Sequence, residues 1–328
     1  MEKTPLIIIA GPTGVGKSAA AVELALRISG EVISADSMQV YRGMDIGTAK
    51  ITPEEMKQVP HYLLDIISPL EPFSAADFKD AAAEAVRDIA GRGRIPIVTG
   101  GTGFYIQALL YDIDFKRDNG EDENLRRELT ALAEREGGTA LHARLGEVDP
   151  ASALAIHPNN IKRMIRALEY YEHTGEPFSE HNAREAEKES PYNYVYFVMT
   201  DRRSRLYERI DRRADRMVRE GLPEEVLGLI KQGFTDGLTS MQALGYHETY
   251  RAIRRNLSSG GDGVLSPGEK RALADEIALG TRHYAKRQLT WFRREKDTVW
   301  LSWEDYDEQT MIEKMLEIIT EKGIVYGN

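Results

Sequence analysis

Leu6-Ile7-Ile8-Ile9-Ala10-Gly11-Pro12-Thr13-Gly14-Val15-Gly16-Lys17-Ser18 is an apolar, β-branched run that breaks into glycines and ends on a lysine and a serine. An alanine- and leucine-rich helical pattern, Ala19 to Ile28, follows at once. The order is strand, loop, helix, with the spacing G-x-x-x-x-G-K-S. Glycines keep side chains out of the turn, so successive backbone N–H groups can converge on phosphate oxygens. The following helix N-terminus adds partial positive charge, Lys17 adds a full one, and the Ser18 hydroxyl can ligate Mg²⁺. Gly11 to Ser18 is therefore read as a phosphate loop for a di- or triphosphate. It sets the expected fold class: α/β, a P-loop NTPase-like parallel sheet flanked by helices.

The bulk numbers fit that class. A chain of 328 residues, 41% hydrophobic and 29% charged, has ample length for a core and suits one large or two ordinary domains. No apolar run approaches the ~20 residues of a membrane span, and no signal-peptide pattern opens the chain. Cysteine is absent, which excludes disulfides, thiolate catalysis and cysteine-ligated zinc, and fits a cytoplasmic location without a membrane partner. The net charge of −10 argues weakly against nucleic acid, though local charge points the other way.

A second strand, Glu31-Val32-Ile33-Ser34-Ala35, delivers Asp36-Ser37-Met38-Gln39 to the carboxyl edge of the sheet, where ligands of open α/β sheets sit. Asp36 there is a candidate general base or Mg²⁺ partner; an Asx-turn closing the strand is the competing role. Residues 42–72 read as a long connection, with His61 in a structural hydrogen-bonding role and contact with a ligand as the alternative. Ser74 caps a helix that ends at Gly91, and the strand Ile95-Pro96-Ile97-Val98-Thr99 leads to Gly100-Gly101-Thr102-Gly103-Phe104-Tyr105, a second glycine-rich turn facing the same pocket. From 116 to 189 helical periodicity replaces the alternation, marking an all-helical insertion between core segments 1–115 and 190–328.

Tyr194 to Met199 restores a strand, and Asp201 follows it without an assigned role. Next, Arg209, Arg213 and Arg216 form one stripe of a helix whose buried face is Leu206, Ile210 and Met217. Clustered guanidinium groups suit phosphate; a solvated helix balanced by Glu208, Asp211 and Asp215 is the alternative. A helix over about 268–294 ends in Thr281-Arg282-His283-Tyr284-Ala285-Lys286-Arg287-Gln288-Leu289-Thr290-Trp291-Phe292-Arg293-Arg294, basic residues interleaved with aromatics, as RNA contacts require. Trp300 to Tyr326 reads as an acidic amphipathic helix. Physics alone reaches a P-loop enzyme and leaves open a small-molecule or nucleoside kinase using ATP.

Taken together, the motifs resemble one family. Gly11 to Ser18, Asp36-Ser37-Met38-Gln39-Val40-Tyr41, Asp45-Ile46-Gly47-Thr48-Ala49-Lys50, Gly100 to Tyr105, Ile165-Arg166-Ala167-Leu168-Glu169, Gly245-Tyr246 and Lys286-Arg287-Gln288-Leu289-Thr290-Trp291 are similar, in order, to the bacterial tRNA dimethylallyltransferases. The resemblance implies prenyl transfer from dimethylallyl diphosphate to N6 of the adenosine 3′ of the anticodon, in tRNAs reading codons that begin with U. The loop then holds the donor's diphosphate, with Mg²⁺ near Ser18. The resemblance further implies Asp36 as base, and Lys17, Thr102 and Arg213 (Arg209 in reserve) around the diphosphate. Ser37, Met38 and Gln39 would contact the extruded base. Asn160, Ile161, Lys162 and Arg163, with Lys286, Arg287 and Gln288, would face the anticodon stem-loop, which the insertion would grip. A monomer is expected.

Overall fold

The computed structural model describes residues 3–115 and 123–325. Two compact units emerge: Met1–Leu110 with Pro191–Asn328, and Tyr111–Ser190. The expected insertion start at 116 and the expected helix end at Tyr326 lie outside the described residues.

The first unit is built on a six-stranded sheet in the order β3-β2-β4-β1-β5-β6, every pairing parallel. Its strands are β1 (Thr4–Ala10), β2 (Gly30–Ser34), β3 (His61–Tyr62), β4 (Ile95–Gly100), β5 (Tyr192–Thr200) and β6 (Thr298–Ser302). β1 lies inside the sheet between β4 and β5, which is why its run from Leu6 to Ala10 is apolar on both faces and buried throughout. The chain winds outward from β1 to β3, returns at β4, then crosses to β5 on the far side of β1. That crossing opens a crevice at the carboxyl ends of β1, β2 and β4, where the glycine-rich turns and Asp36 are carried.

Helices cover the sheet. α1 (Lys17–Ile28) and α14 (Glu308–Glu321) contribute Ala21, Val22 and Leu24 and then Met311, Ile312, Met315 and Ile319 to one apolar cluster with Ile7, Ile9 and Phe197. α3 (Ala75–Gly91) starts at a capping box, as its sequence predicts: the Asp77 N–H donates to Ser74 Oγ at 3.2 Å and the Ser74 N–H to the Asp77 carboxylate at 2.8 Å. α4 is Gly103–Leu110. A second cluster joins α10 (Arg203–Arg219), α11 (Leu222–Lys231), α12 (Tyr246–Ser258) and α13 (Pro267–Phe292) to Val40, Tyr41 and Met44. Among the described residues no helix is long and apolar enough to cross a membrane.

Among the described residues the second unit contains five helices: α5 (Glu123–Glu136), α6 (Gly138–Val148), α7 (Pro150–Ala155), α8 (Ile161–Thr174) and α9 (Phe178–Glu187). Leu129, Leu141, Leu145, Met164 and Leu168 form its core.

Two expectations are corrected. The tail is not helical from Trp300: Thr298–Ser302 pairs with β5 as the sixth strand, and only α14 is helix. Five residues alternating around Val299 and Leu301 are too short for periodicity to separate strand from helix. The connection over 42–72 also holds a helical turn, α2 (Pro53–Met56), and the two-residue strand β3. Both are shorter than any pattern window.

Candidate active site

The phosphate loop takes the shape its glycines permit. Gly14 and Gly16 sit at φ of +80° and +97°, the left-handed region that strains any side chain. α1 then opens at Gly16 with no side-chain cap and no acidic residue in its first turn, so its leading N–H groups remain available to an anion. The Lys17 ammonium donates to the Pro12 carbonyl at 2.8 Å. Burial holds its pKa down from 10.5 to about 7; Asp36 pulls it up and Arg213 pushes it down. A buried ammonium of this kind gains from any anion placed beside it.

Asp36 leaves β2 in an Asx-turn, its Oδ1 accepting the Met38 N–H at 2.9 Å and the Gln39 N–H at 3.4 Å. The turn engages one carboxylate oxygen only: among the described residues no hydrogen bond reaches Oδ2. Thr102 Oγ1 accepts the Ser37 N–H at 3.2 Å, tying the two strand ends together. Gln39 is committed internally: Ser34 Oγ donates to its Oε1 at 3.1 Å, and its Nε2 donates to Thr48 O at 3.3 Å and Ala49 O at 3.5 Å.

The Asp45–Lys50 segment is knotted around its lysine. Lys50 Nζ donates to Tyr41 O at 2.9 Å, Asp45 at 2.6 Å and Asp65 at 2.5 Å. Glu225 accepts the Asp45 and Ile46 N–H groups and the Tyr246 hydroxyl, which accounts for the Gly245-Tyr246 motif. This segment presents Thr48 O to Arg213, whose Nη2 donates to it at 3.3 Å. Burial disfavours the Arg213 charge, with Asp36 restoring it and Arg216 opposing it.

Arg209 is held differently. Its guanidinium lies 3.4 Å from Asp201 Oδ2, donates to Val15 O at 3.4 Å and sits 6.0 Å from the Trp303 ring. Asp201, which had no role in the sequence, is the buried anchor of Arg205 and Arg209. Trp303 Nε1 donates to Val15 O at 2.6 Å, so the segment after β6 braces the phosphate loop. No motif announces that tryptophan; it follows a strand that periodicity misses.

Two cavities meet here. One, about 450 Å³, is walled by Gly14, Gly16, Lys17 and Ser18 against Arg209, Arg212, Arg213 and Arg216. The other, about 300 Å³, is walled by Met38, Ile210, Met217, Leu244 and Ile277, with Ser37 and Arg287 at polar positions. Thr13, Asp36, Thr48, Arg213 and Tyr284 line both. Tyr284 is the residue that sequence reasoning passed over; it stands one helical turn before Gln288, and that i, i+4 spacing was the available signal. Burial, and then Asp36, push its hydroxyl up to about 12, while Thr102, Arg287 and Gln288 draw it down.

The structure brings together Lys17, Ser18, Asp36, Arg213 and Gln288 in the first cavity, and Asp36, Ser37, Met38 and Arg287 in the second. Lys286 and Arg287 are exposed on α13. Asn160 caps α8 in the second unit, its Oδ1 accepting the Arg163 N–H at 3.4 Å, with Lys162 and Arg163 exposed and Ile161 packed on that unit's core. Oxygen ligands for a magnesium ion are sparse: among the described residues no group of three or more His, Asp or Glu converges. A hydroxyl such as Ser18 beside an incoming diphosphate nevertheless suits Mg²⁺, which keeps several waters and takes substrate phosphate oxygens.

A model of the family described as IPP transferase matches residues 39–295. The chain belongs to the IPP transferase family. Its relatives include proteins named tRNA dimethylallyltransferase from Lachnoclostridium phytofermentans, 52% identical over 98% of this chain and 99% of that one, and from Geobacillus thermodenitrificans, 47% identical over 92% and 91%. Among solved structures, the tRNA isopentenylpyrophosphate transferase of Bacillus halodurans superposes with a TM-score of 0.71 at 43% identity, covering 98% of this chain and 97% of that one. A eukaryotic dimethylallyltransferase acting on tRNA gives 0.80 at 28% identity, over 96% and 79%. The parallel sheet described above is thus the fold of IPP transferases.

Proposed function

We propose that this chain transfers the dimethylallyl group of dimethylallyl diphosphate to N6 of the adenosine 3′-adjacent to the anticodon, in tRNAs reading codons that begin with U, and releases diphosphate. The observation that carries the proposal is the shared wall: one cavity is cationic and ends on a phosphate loop, the other sets apolar side chains such as Met38, Ile210 and Ile277 among polar ones, and Asp36, Arg213 and Tyr284 stand where they meet. A diphosphate in the first and an extruded adenine in the second would face each other across those residues. The named relatives support the same reading and give none to the kinase alternative.

The loop amides and the α1 N-terminus bind the diphosphate, and Lys17 gains its proton as the anion enters. Arg213, oriented by Thr48 O, receives the charge that develops as the donor's C1–O bond breaks. Asp36, its Oδ1 fixed by the turn, directs Oδ2 at the attacking amine and takes the N6 proton as the N6–C1 bond forms. Ser18 would hold Mg²⁺, which when bound supplies further positive charge to the leaving diphosphate. The exposed Lys162, Arg163, Lys286 and Arg287 serve the tRNA backbone, the first two on the helical unit that grips the anticodon stem-loop.

The test is transfer of radiolabelled dimethylallyl to an anticodon stem-loop bearing three adjacent adenosines, with Mg²⁺ and no ATP. Label in the RNA is expected. Label moving only from γ-labelled ATP into a small molecule overturns the proposal.

A further inference from the structure

Tyr284, Gln288 and Trp291 occupy one face of α13, and that face is pressed against the Gly101–Gly103 turn: a Cβ at Gly101 would overlap the Gln288 amide, and one at Gly103 the Trp291 ring. Gln288 is 6% exposed, and its carboxamide makes two bonds of opposite polarity. Oε1 accepts the Thr13 N–H at 2.9 Å, and Nε2 donates to Gly101 O at 2.9 Å. Only a carboxamide serves both partners, which also fixes which end is oxygen.

The Thr13 N–H and the Pro12 carbonyl belong to one peptide plane. Gln288 holds that plane by its N–H and Lys17 holds it by its oxygen, at 2.8 Å. When a diphosphate draws the Lys17 ammonium away, the plane keeps the Gln288 bond at 2.9 Å and, on its carbonyl side, only a long bond of 3.4 Å from the Val15 N–H. We infer that Gln288 is a positioning residue of the diphosphate site rather than an RNA contact: it keeps the Pro12–Thr13 peptide from rotating when Lys17 engages the ligand, so the amides from Gly14 to Ser18 stay convergent. Lys286 and Arg287, on the exposed side of the same helix, remain free to meet RNA. The inference rests on the phosphate-loop reading of the preceding section.

Gln288→Met keeps the length and packing and removes both hydrogen bonds. The expected result is a Kd for a non-transferable dimethylallyl thiodiphosphate raised about 5- to 100-fold, the cost of leaving a buried N–H unpartnered. Donor KM should rise with kcat at saturating donor retained, while stem-loop affinity and its salt dependence stay within about twofold of wild type. Hydrogen exchange of the 11–18 peptide, without ligand, should accelerate locally. Unchanged analogue affinity overturns the inference, as does a loss of stem-loop affinity with donor affinity intact. If Gln288→Met destabilises the whole chain, Gln288→Glu retains the acceptor for Thr13; a loop that exchanges in it as fast as in the methionine variant also overturns the inference. A wild-type protein that fails to bind the analogue, with loop exchange still dependent on Gln288, would instead refute the diphosphate reading and leave the brace standing.

Discussion

Raising the pH above neutrality is expected to weaken diphosphate binding through one group, Lys17. Its ammonium is held down to about 7 by burial, with Asp36 only partly compensating and Arg213 adding repulsion. At pH 8 roughly nine tenths of it is neutral, and the anion requires the charged form, so binding takes up close to one proton. Each further pH unit then costs about 1.4 kcal/mol, a tenfold rise in Kd. The ligand adds little of its own, since a terminal phosphate completes its ionisation near pH ~6. The assay is calorimetric titration with the thiodiphosphate analogue from about pH 6.5 to 9, in buffers of different ionisation enthalpy so that protons are counted directly. Lys17→Arg supplies the control: a guanidinium stays charged, and the pH slope should vanish. A wild-type Kd that is flat across the range, or a slope that survives in Lys17→Arg, would refute the reasoning. The same group weights folding with a definite sign. Its native value lies below the unfolded 10.5, so between about 7 and 10.5 the unfolded chain holds the extra proton and stability rises with pH. Below about 7 the full burial penalty is felt.

Asp36→Asn keeps an oxygen for the Met38 and Gln39 N–H groups, so the turn should survive while single-turnover rate falls about 10²- to 10⁴-fold at unchanged donor and stem-loop affinity; a wild-type rate removes Asp36 as base. Arg213→Ala should weaken inhibition by inorganic pyrophosphate roughly 10- to 100-fold, and Arg209→Ala less, because Asp201 already engages Arg209; the reverse order would reassign the diphosphate contact. Trp303→Phe keeps an aromatic ring but loses the bond to Val15 O and part of the indole packing, and a urea melt should show about 1 kcal/mol of destabilisation or more; superimposable melts contradict the brace. Stem-loop affinity should fall steeply with salt, and Lys286→Ala should reduce that slope by about 1; a flat wild-type profile sinks the basic-surface assignment.

What was legible in the sequence is what is local. The phosphate loop, the Ser74 cap and the apolar runs of β1 and β5 each state their structure within a dozen residues, because glycine freedom, capping and double-sided burial act over that range. The position of Asp36 at the sheet edge followed from β2 alone. Its neighbours did not: that Thr102 accepts the Ser37 N–H, or that Thr48 O orients Arg213, depends on pairing between segments separated by 65 and 165 residues. Nothing in a linear pattern encodes such a meeting. β6 was lost for a different reason. Its alternation is too brief to show a period, and Trp303 beyond it was lost along with it.

The helix α13 shows why composition misleads at a functional surface. Its closing segment, basic and aromatic by turns, reads as an RNA-facing run, and the family resemblance places Gln288 in it. Around the helix the run divides. His283, Lys286, Arg287 and Thr290 are exposed, whereas Ala285, Gln288 and Phe292 are buried against the core that carries the phosphate loop. Averaging over the sequence mixes an exposed basic face with a buried face packed on the unit that carries the phosphate loop. The two faces belong to one helix, α13. A substitution on α13 therefore has to be assigned to a face before its effect on either proposed substrate can be interpreted.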